Sequence, residues 1–235
     1  AFDQPAKRMS EYVQAMHTVW NMERGDRTPY RGDLYRVIRP GINGLGSATD
    51  RALPRVYVAA VGPLMTRAAT TYADGLLGHP FTSVAYLRDD LLPRIDRGLA
   101  DVGRARDEFA LAQSLIVCVS DDREVARREA KTQVGFYGTT PNYSPVFAAS
   151  NEAHLTEGLA RVFAESGGDP DALADAVDDD VVDRYAVAGT PDEVADRLAE
   201  YSPLVDHLIL GGAWYRVPAQ RMMENTQALL ESVLR

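Results

Sequence analysis

The residues of this sequence best placed for chemistry lie where apolar runs break into glycine and proline. Val58-Ala-Ala-Val-Gly-Pro-Leu-Met65 reads as a buried strand passing directly into a helix. Ala59, Ala60 and Gly62 are small enough to let a ligand approach the main chain. The N–H groups of Gly62, Leu64 and Met65 would face the positive end of a helix dipole, a natural seat for a phosphate. Pro63 donates nothing, but its fixed φ suits a first helical turn. An ordinary strand-to-helix turn is the competing reading. His79, before Pro80 and Phe81, falls at the carboxyl end of the next strand, where parallel α/β proteins place ligands. An imidazole there could donate to a phosphate or ring oxygen, or could be satisfied by backbone as a structural histidine. Gly211-Gly212, followed by Trp214 and Tyr215, makes a third opening at the same rim, with Trp214 read as packing before stacking platform.

Other signatures fail on spacing. Gly41, Gly44 and Gly46 resemble a dinucleotide fingerprint, but the intervals are wrong and no strand precedes them. No Walker loop and no Gly-x-Ser-x-Gly elbow occurs. His17, His79, His154 and His207 share no metal-ligand spacing, so no metal site is expected. The run Asp169, Asp171, Asp175, Asp178, Asp179, Asp180 and Asp183 lacks the glycine of a calcium loop and reads as a solvated helical face. Cys118, inside an apolar strand, reads as a small buried hydrophobe rather than a nucleophile.

The elements that must position these residues follow from periodicity and punctuation. Met9, Tyr12, Val13, Met16, Val19 and Trp20 form a helical stripe, ended by Gly25 and Pro29. Tyr30 to Ile38 reads as a short hairpin around Gly32-Asp33, and Pro40 to Pro54 as a loop. Arg55 to Val61 is a strand apolar on both faces, followed by a helix from Leu64 to Tyr72. Leu76-Leu77-Gly78 is a second strand ending at His79-Pro80. A helix from Ser83 to about Val102 is expected to break near Pro93. Phe109 to Val119 is the longest strand, and Asp121 with Glu124 has capping-box spacing for the helix after it. The region from Gly138 to about Tyr185 holds helical patches without a convincing strand. Thr190-Pro191-Asp192-Glu193 is a strong helix start, His207 to Leu210 a strand, and Val217 to Leu234 a closing helix.

Alternating strands and helices imply a parallel sheet with right-handed crossovers. Four strand-helix units do not close an eight-stranded barrel, and the crossover from Val119 to His207 far exceeds the ~30 residues of an ordinary unit, so it holds an insertion. The 235 residues carry 25 basic and 34 acidic side chains, a formal charge of −9. With 46% hydrophobic and 25% charged residues, the chain has globular composition. The acidic balance argues against a nucleic-acid partner, which needs clustered Lys and Arg. No apolar run approaches the ~20 residues needed to span a bilayer. A single cysteine suits a reducing compartment, and a cytoplasmic location is expected.

At these residues a family resemblance emerges. Val56-Tyr57-Val58-Ala59-Ala60-Val61-Gly62-Pro63, Ala68-Ala69 and Ala73-Asp74-Gly75-Leu76-Leu77 resemble the middle of luciferase-like oxidoreductases, and most of all the branch using the deazaflavin coenzyme F420. Similarity extends to Phe2-Asp3-Gln4-Pro5, Arg8-Met9, Glu11-Tyr12-Val13 and Trp20. It continues through Gly78-His79-Pro80-Phe81, Phe136-Tyr137-Gly138, Pro141, Tyr143-Ser144-Pro145 and Gly189-Thr190-Pro191-Asp192-Glu193. No single motif is decisive; the ordered set is fairly specific.

The resemblance implies an α/β fold of the (β/α)8 TIM-barrel type, with residues 1–235 as one partial barrel domain and 138–185 as a helical insertion. It makes the strands the fifth to eighth and the opening helix the one after the fourth, so the chain is expected to start in mid-domain. It implies oxidoreductase or monooxygenase chemistry through F420, with FMN as the alternative, on a small-molecule substrate. Ala60, Val61 and Gly62 match strand-end positions lining the coenzyme tail, where many relatives carry two glycines, and His79 matches a small polar position near it. Catalytic residues belong with the absent early strands and are not assigned. Incomplete closure would leave sheet edges to be covered, so a homo-oligomer is expected. Two rival readings remain: a non-catalytic shortened barrel binding a phosphorylated ligand or a partner subunit, and an unrelated open α/β fold.

Overall fold

The computed structural model describes residues 3–26, 28–38 and 52–233. Gly41, Gly44, Gly46, Phe2, Leu234 and most of the loop expected from Pro40 to Pro54 lie outside the described residues. The elements run α1 (Pro5–Glu23), β1 (Tyr30–Arg31), β2 (Arg36–Val37), β3 (Tyr57–Ala60), α2 (Pro63–Tyr72) and β4 (Gly75–Gly78). There follow α3 (Val84–Tyr86), a π-helical segment (Leu87–Leu91), α4 (Leu92–Ala100), β5 (Ala110–Val119) and α5 (Arg123–Gly138). The chain then forms α6 (Ser144–Ala148), α7 (Leu155–Ser166), α8 (Pro170–Asp175) and α9 (Asp179–Tyr185). It ends with β6 (Val187–Gly189), α10 (Pro191–Tyr201), β7 (His207–Gly211) and α11 (Ala219–Val233). Two compact units result, one of Ala1–Leu77 with Arg94–Ala110 and one of Gly78–Pro93 with Leu111–Arg235.

In the first unit, α1 packs against α2, and α2 against β3. The α1 stripe is only half used: Val13 is buried with Ala15 and Met22, whereas Tyr12 and Val19 stay exposed. Glu11, polar and buried, explains the shift. Its carboxylate accepts the amides of Leu34 (2.7 Å) and Tyr35 (3.1 Å), tying the β1–β2 hairpin to the helix. The hairpin turns at Gly32-Asp33 as expected, with Gly32 N–H donating to Tyr35 O. A Cβ on Gly32 would crowd the Glu11 carboxylate, so a side chain there would displace the group that binds the hairpin amides. Asp74 aligns the next strands: its carboxylate accepts Val56 N–H (2.7 Å), and its own amide donates to Val56 O. Strand β3 alternates in burial, Val58 and Ala60 in and Ala59 out, rather than being apolar-buried on both faces.

In the second unit, β5 is buried along almost its whole length, as a covered parallel strand should be. Strand β6 pairs parallel with its last third, Val117 to Val119, and β7 with Ala112 to Ile116. Strand β6 was not expected from its sequence: three residues are too short for periodicity to register. Asp206 repeats the role of Asp74, accepting Leu111 N–H (2.7 Å) one residue before β7. Asn225, buried on α11, binds Val119 N–H and Val117 O and so finishes the β5 ladder.

Three local expectations need correction, and the break expected near Pro93 forms just before it. The cap of α5 is Asp122, whose carboxylate accepts Glu124 N–H (3.0 Å), so Asp121 and Glu124 form no capping box. The helix after Ser83 is interrupted by a π-helical segment, with Leu92 N–H reaching Leu87 O. Pro93 cannot donate and its ring would crowd the preceding turn, so the register slips just before it. The acidic run is not simply solvated. Asp171 and Asp175 pair with Arg128, and Asp179 and Asp183 with the buried Arg127 guanidinium, fastening α8 and α9 to α5. The closing helix begins at Ala219, two residues later than expected. The Thr190–Glu193 capping box does form on α10.

Candidate functional site

In the first unit, β3 runs out at Ala60 and the chain enters α2 through Gly62, whose φ of −85° and ψ of 164° are those of an N-cap. Gly62 has no side chain to cap the helix, and α2 carries no acidic residue in its first turn. Among the described residues, no acceptor is recorded for the N–H groups of Gly62, Leu64 or Met65. The junction is open: Leu64 is 72% exposed, and a Cβ built on Gly62 meets nothing within 4 Å. Ala60 differs from its neighbours, since its side chain is buried. Val61 is half-buried, and its carbonyl accepts Arg94 Nη1 (2.8 Å). Sequence reasoning missed Arg94. It lies far along the chain and follows the π-helical segment that no periodicity announces. Its guanidinium adds positive charge beside a group of unpaired amides, a combination suited to an anion.

In the second unit, His79 follows directly on β4 and lies among aromatic rings. Its imidazole stacks on Tyr143 (centroids 4.2 Å, 22°) and meets the edge of Tyr137 (4.9 Å). Phe81 N–H donates to His79 Nδ1 at 3.1 Å. Burial pushes the imidazole down to about 4, so the ring is neutral at ordinary pH. A neutral imidazole that accepts at Nδ1 carries its proton at Nε2, and His79 is therefore a fixed single donor. The phenols of Tyr137 and Tyr143 are raised by burial and likewise stay protonated.

Trp214 extends this aromatic group. Its indole N–H donates to Tyr137 Oη (3.1 Å), and its main-chain N–H to Gln133 Oε1 (2.8 Å), although the residue is 47% exposed. It is held in place without being buried, which neither packing nor a mobile surface position alone describes. Cys118 is buried, and its thiol is pushed up to about 12, which removes it as a nucleophile. Among the described residues, no group of three His, Cys, Asp or Glu is placed to hold a metal ion, and no helix is long and apolar enough to cross a membrane.

The comparisons with known proteins agree with one another. A family model described as luciferase-like monooxygenase matches residues 1–207. An uncharacterized protein of Mycobacterium tuberculosis (strain H37Rv) is 34% identical over 200 residues, covering 83% of this chain and 58% of its own. An F420-dependent glucose-6-phosphate dehydrogenase of Intrasporangium calvum is 27% identical over 211 residues, covering 89% of this chain and 56% of its own. Among solved structures, the coenzyme F420 dependent tetrahydromethanopterin reductase from Methanopyrus kandleri superposes with a TM-score of 0.69 at 21% identity, over 87% of this chain and 57% of that one. The α/β architecture is thus that of the luciferase-like TIM-barrel proteins; closure into a ring is not seen among the described strands. This chain spans a little over half the length of these proteins.

Proposed function

Because the chain belongs to the luciferase-like monooxygenase family, we propose that it serves an oxidoreductase reaction carried by bound coenzyme F420. The anionic tail of that coenzyme would rest on the junction between β3 and α2. The observation that carries this reading is the group of amides at Gly62, Leu64 and Met65, which have no acceptor among the described residues, with Leu64 exposed and Arg94 bound to the Val61 carbonyl beside them. Ala60 and Val61 would contribute main chain only. The residues present fit such a group: open space stands over Gly62, no carboxylate occupies the first turn, and the dipole favours an anion.

When bound, the deazaflavin supplies hydride exchange at its C5. The protein would hold the tail through the three amides and balance its charge with Arg94. In the second unit, His79 would offer one N–H, at Nε2, to a polar group of a small-molecule ligand. F420 is favoured by the resemblance along the sequence and by the F420-dependent dehydrogenase among the relatives. FMN is the second reading, supported by the monooxygenase description of the family.

Titration of the purified chain with F420, FMN and NADPH, followed by tryptophan fluorescence, tests this. Saturable quenching by F420 is expected, and binding of none of the three would refute it in favour of a non-catalytic module. Self-association belongs to the same reading, since among the described strands β7 pairs with β5 alone and a one-sided strand invites a neighbour. Light scattering should find a species larger than one chain.

A further inference from the structure

Strand β5 is apolar almost throughout, yet it carries a glutamine at its centre. Gln113 is 1% exposed. A buried amide in such a run costs free energy that a leucine would not, so its bonds need a reason. Gln113 Nε2 donates to His79 O (2.7 Å) and to Ser114 O (2.7 Å), using both its hydrogens. Its Oε1 is buried without a partner. Gly78 makes room for this side chain, because a Cβ there would lie 1.9 Å from Gln113 Oε1. The amide thus grips the main chain of the one histidine whose ring is fixed by stacking on Tyr143 and by Phe81 N–H.

We propose that Gln113 is a positioning residue: by holding the His79 carbonyl at the end of β4, it keeps the imidazole in one place and one tautomer, as an Nε2–H donor. The inference rests on the reading above that His79 faces a ligand, and it assigns to β5 the part that orients that donor. The aromatic contacts and the Phe81 amide hold the His79 ring, whereas the Gln113 amide holds its main-chain carbonyl. A residue acting this way touches neither coenzyme nor substrate.

The experiment compares the chain with Gln113→Met, which matches the side chain in length and lacks both amide hydrogens, by nitrogen-15 NMR of the histidine rings. The unaltered chain is expected to show His79 protonated at Nε2 only, with about 1 in 100 molecules doubly protonated at pH 6. In Gln113→Met the Nδ1 signal should lose its hydrogen-bonded shift, and the doubly protonated fraction at pH 6 should rise at least tenfold. A His79 that titrates and tautomerises identically in both proteins overturns the proposal, whatever happens to the melting temperature. Should Gln113→Met not fold, the unaltered chain still decides. Both Gln113 side-chain hydrogens must exchange slowly with deuterium, and exchange at the rate of an exposed glutamine overturns the proposal. The underlying reading fails separately: if none of F420, FMN and NADPH moves the His79 ring signals, His79 faces no such ligand, while Gln113 still governs its tautomer.

Discussion

Replacing Gly62 by aspartate should separate anion binding from folding. The backbone at Gly62 has the extended φ and ψ of an N-cap, and an added Cβ meets nothing within 4 Å. A side-chain carboxylate there can cap α2, which now has no side-chain cap and no acidic residue in its first turn. Asp is a better cap than Gly by a few tenths of a kcal/mol, and the dipole adds about 0.3–1 kcal/mol. The melting temperature should therefore hold or rise, by about 1–3 °C for a domain of this size. Ligand binding should move the other way. A carboxylate about 5 Å from a phosphate, at an effective dielectric near 20, opposes it by about 3 kcal/mol. That is about two orders of magnitude in Kd. Gly62→Asn is the control, since it caps equally well and carries no charge; it should bind F420 within about fivefold of the unaltered chain, a shift under about 1 kcal/mol. Fluorescence titration and thermal melts on the three proteins complete the assay. Equal affinity of the Asp and Asn variants would refute the anion seat, because charge is the property that separates them. Equal loss in both, with lowered melting temperatures, would show that the junction serves folding instead.

Other expectations follow from the same contacts. Gly78→Ala drives a methyl into Gln113 Oε1 and should destabilise the protein by about 2 kcal/mol or more, with part of the loss recovered in the Gly78→Ala, Gln113→Ala double variant; chemical denaturation measures both. His79 has a folded pKa near 4, below its unfolded value near 6.5, so between these values the unfolded chain binds the extra proton. Stability should accordingly be full above about pH 6.5, fall on acidification towards pH 4 by less than about 1.4 kcal/mol per pH unit, and level off below, with His79→Gln lacking this component in urea melts. Cys118 should react with a thiol reagent no faster than the chain opens around β5, so that labelling and hydrogen exchange of β5 amides give the same opening free energy. Labelling within seconds in native buffer would contradict its burial.

Features governed by near neighbours in the chain were legible before the fold was. The hairpin at Gly32-Asp33, the Thr190–Glu193 cap, the helix opened by Gly62-Pro63 and the buried strand ending at Val119 each rest on residues within a few positions of one another. So does the candidate seat, because a strand end, a glycine and a proline in sequence suffice to expose first-turn amides. The misreadings have equally local causes. Asp121 and Asp122 are adjacent and both can cap, and the helix starts at Arg123, which leaves Asp122 in the cap position. The α1 stripe is correct as periodicity, but Glu11 turns the helix toward the hairpin because a buried carboxylate must collect its two amides.

What the sequence determined by itself, then, is the order of the longer elements, the Thr190–Glu193 cap and the strand-to-helix turn at Gly62-Pro63, all consequences of short-range sterics and hydrogen bonding. The tertiary structure decided which distant groups complete them. Arg94 reaches Val61, Gln113 reaches His79, Asp206 reaches Leu111 and Asn225 reaches Val119 across separations of 33 to 106 residues. No periodicity encodes such pairs. A buried polar group takes whichever partner the packed chain brings within about 3 Å, and that choice exists only once the core has formed.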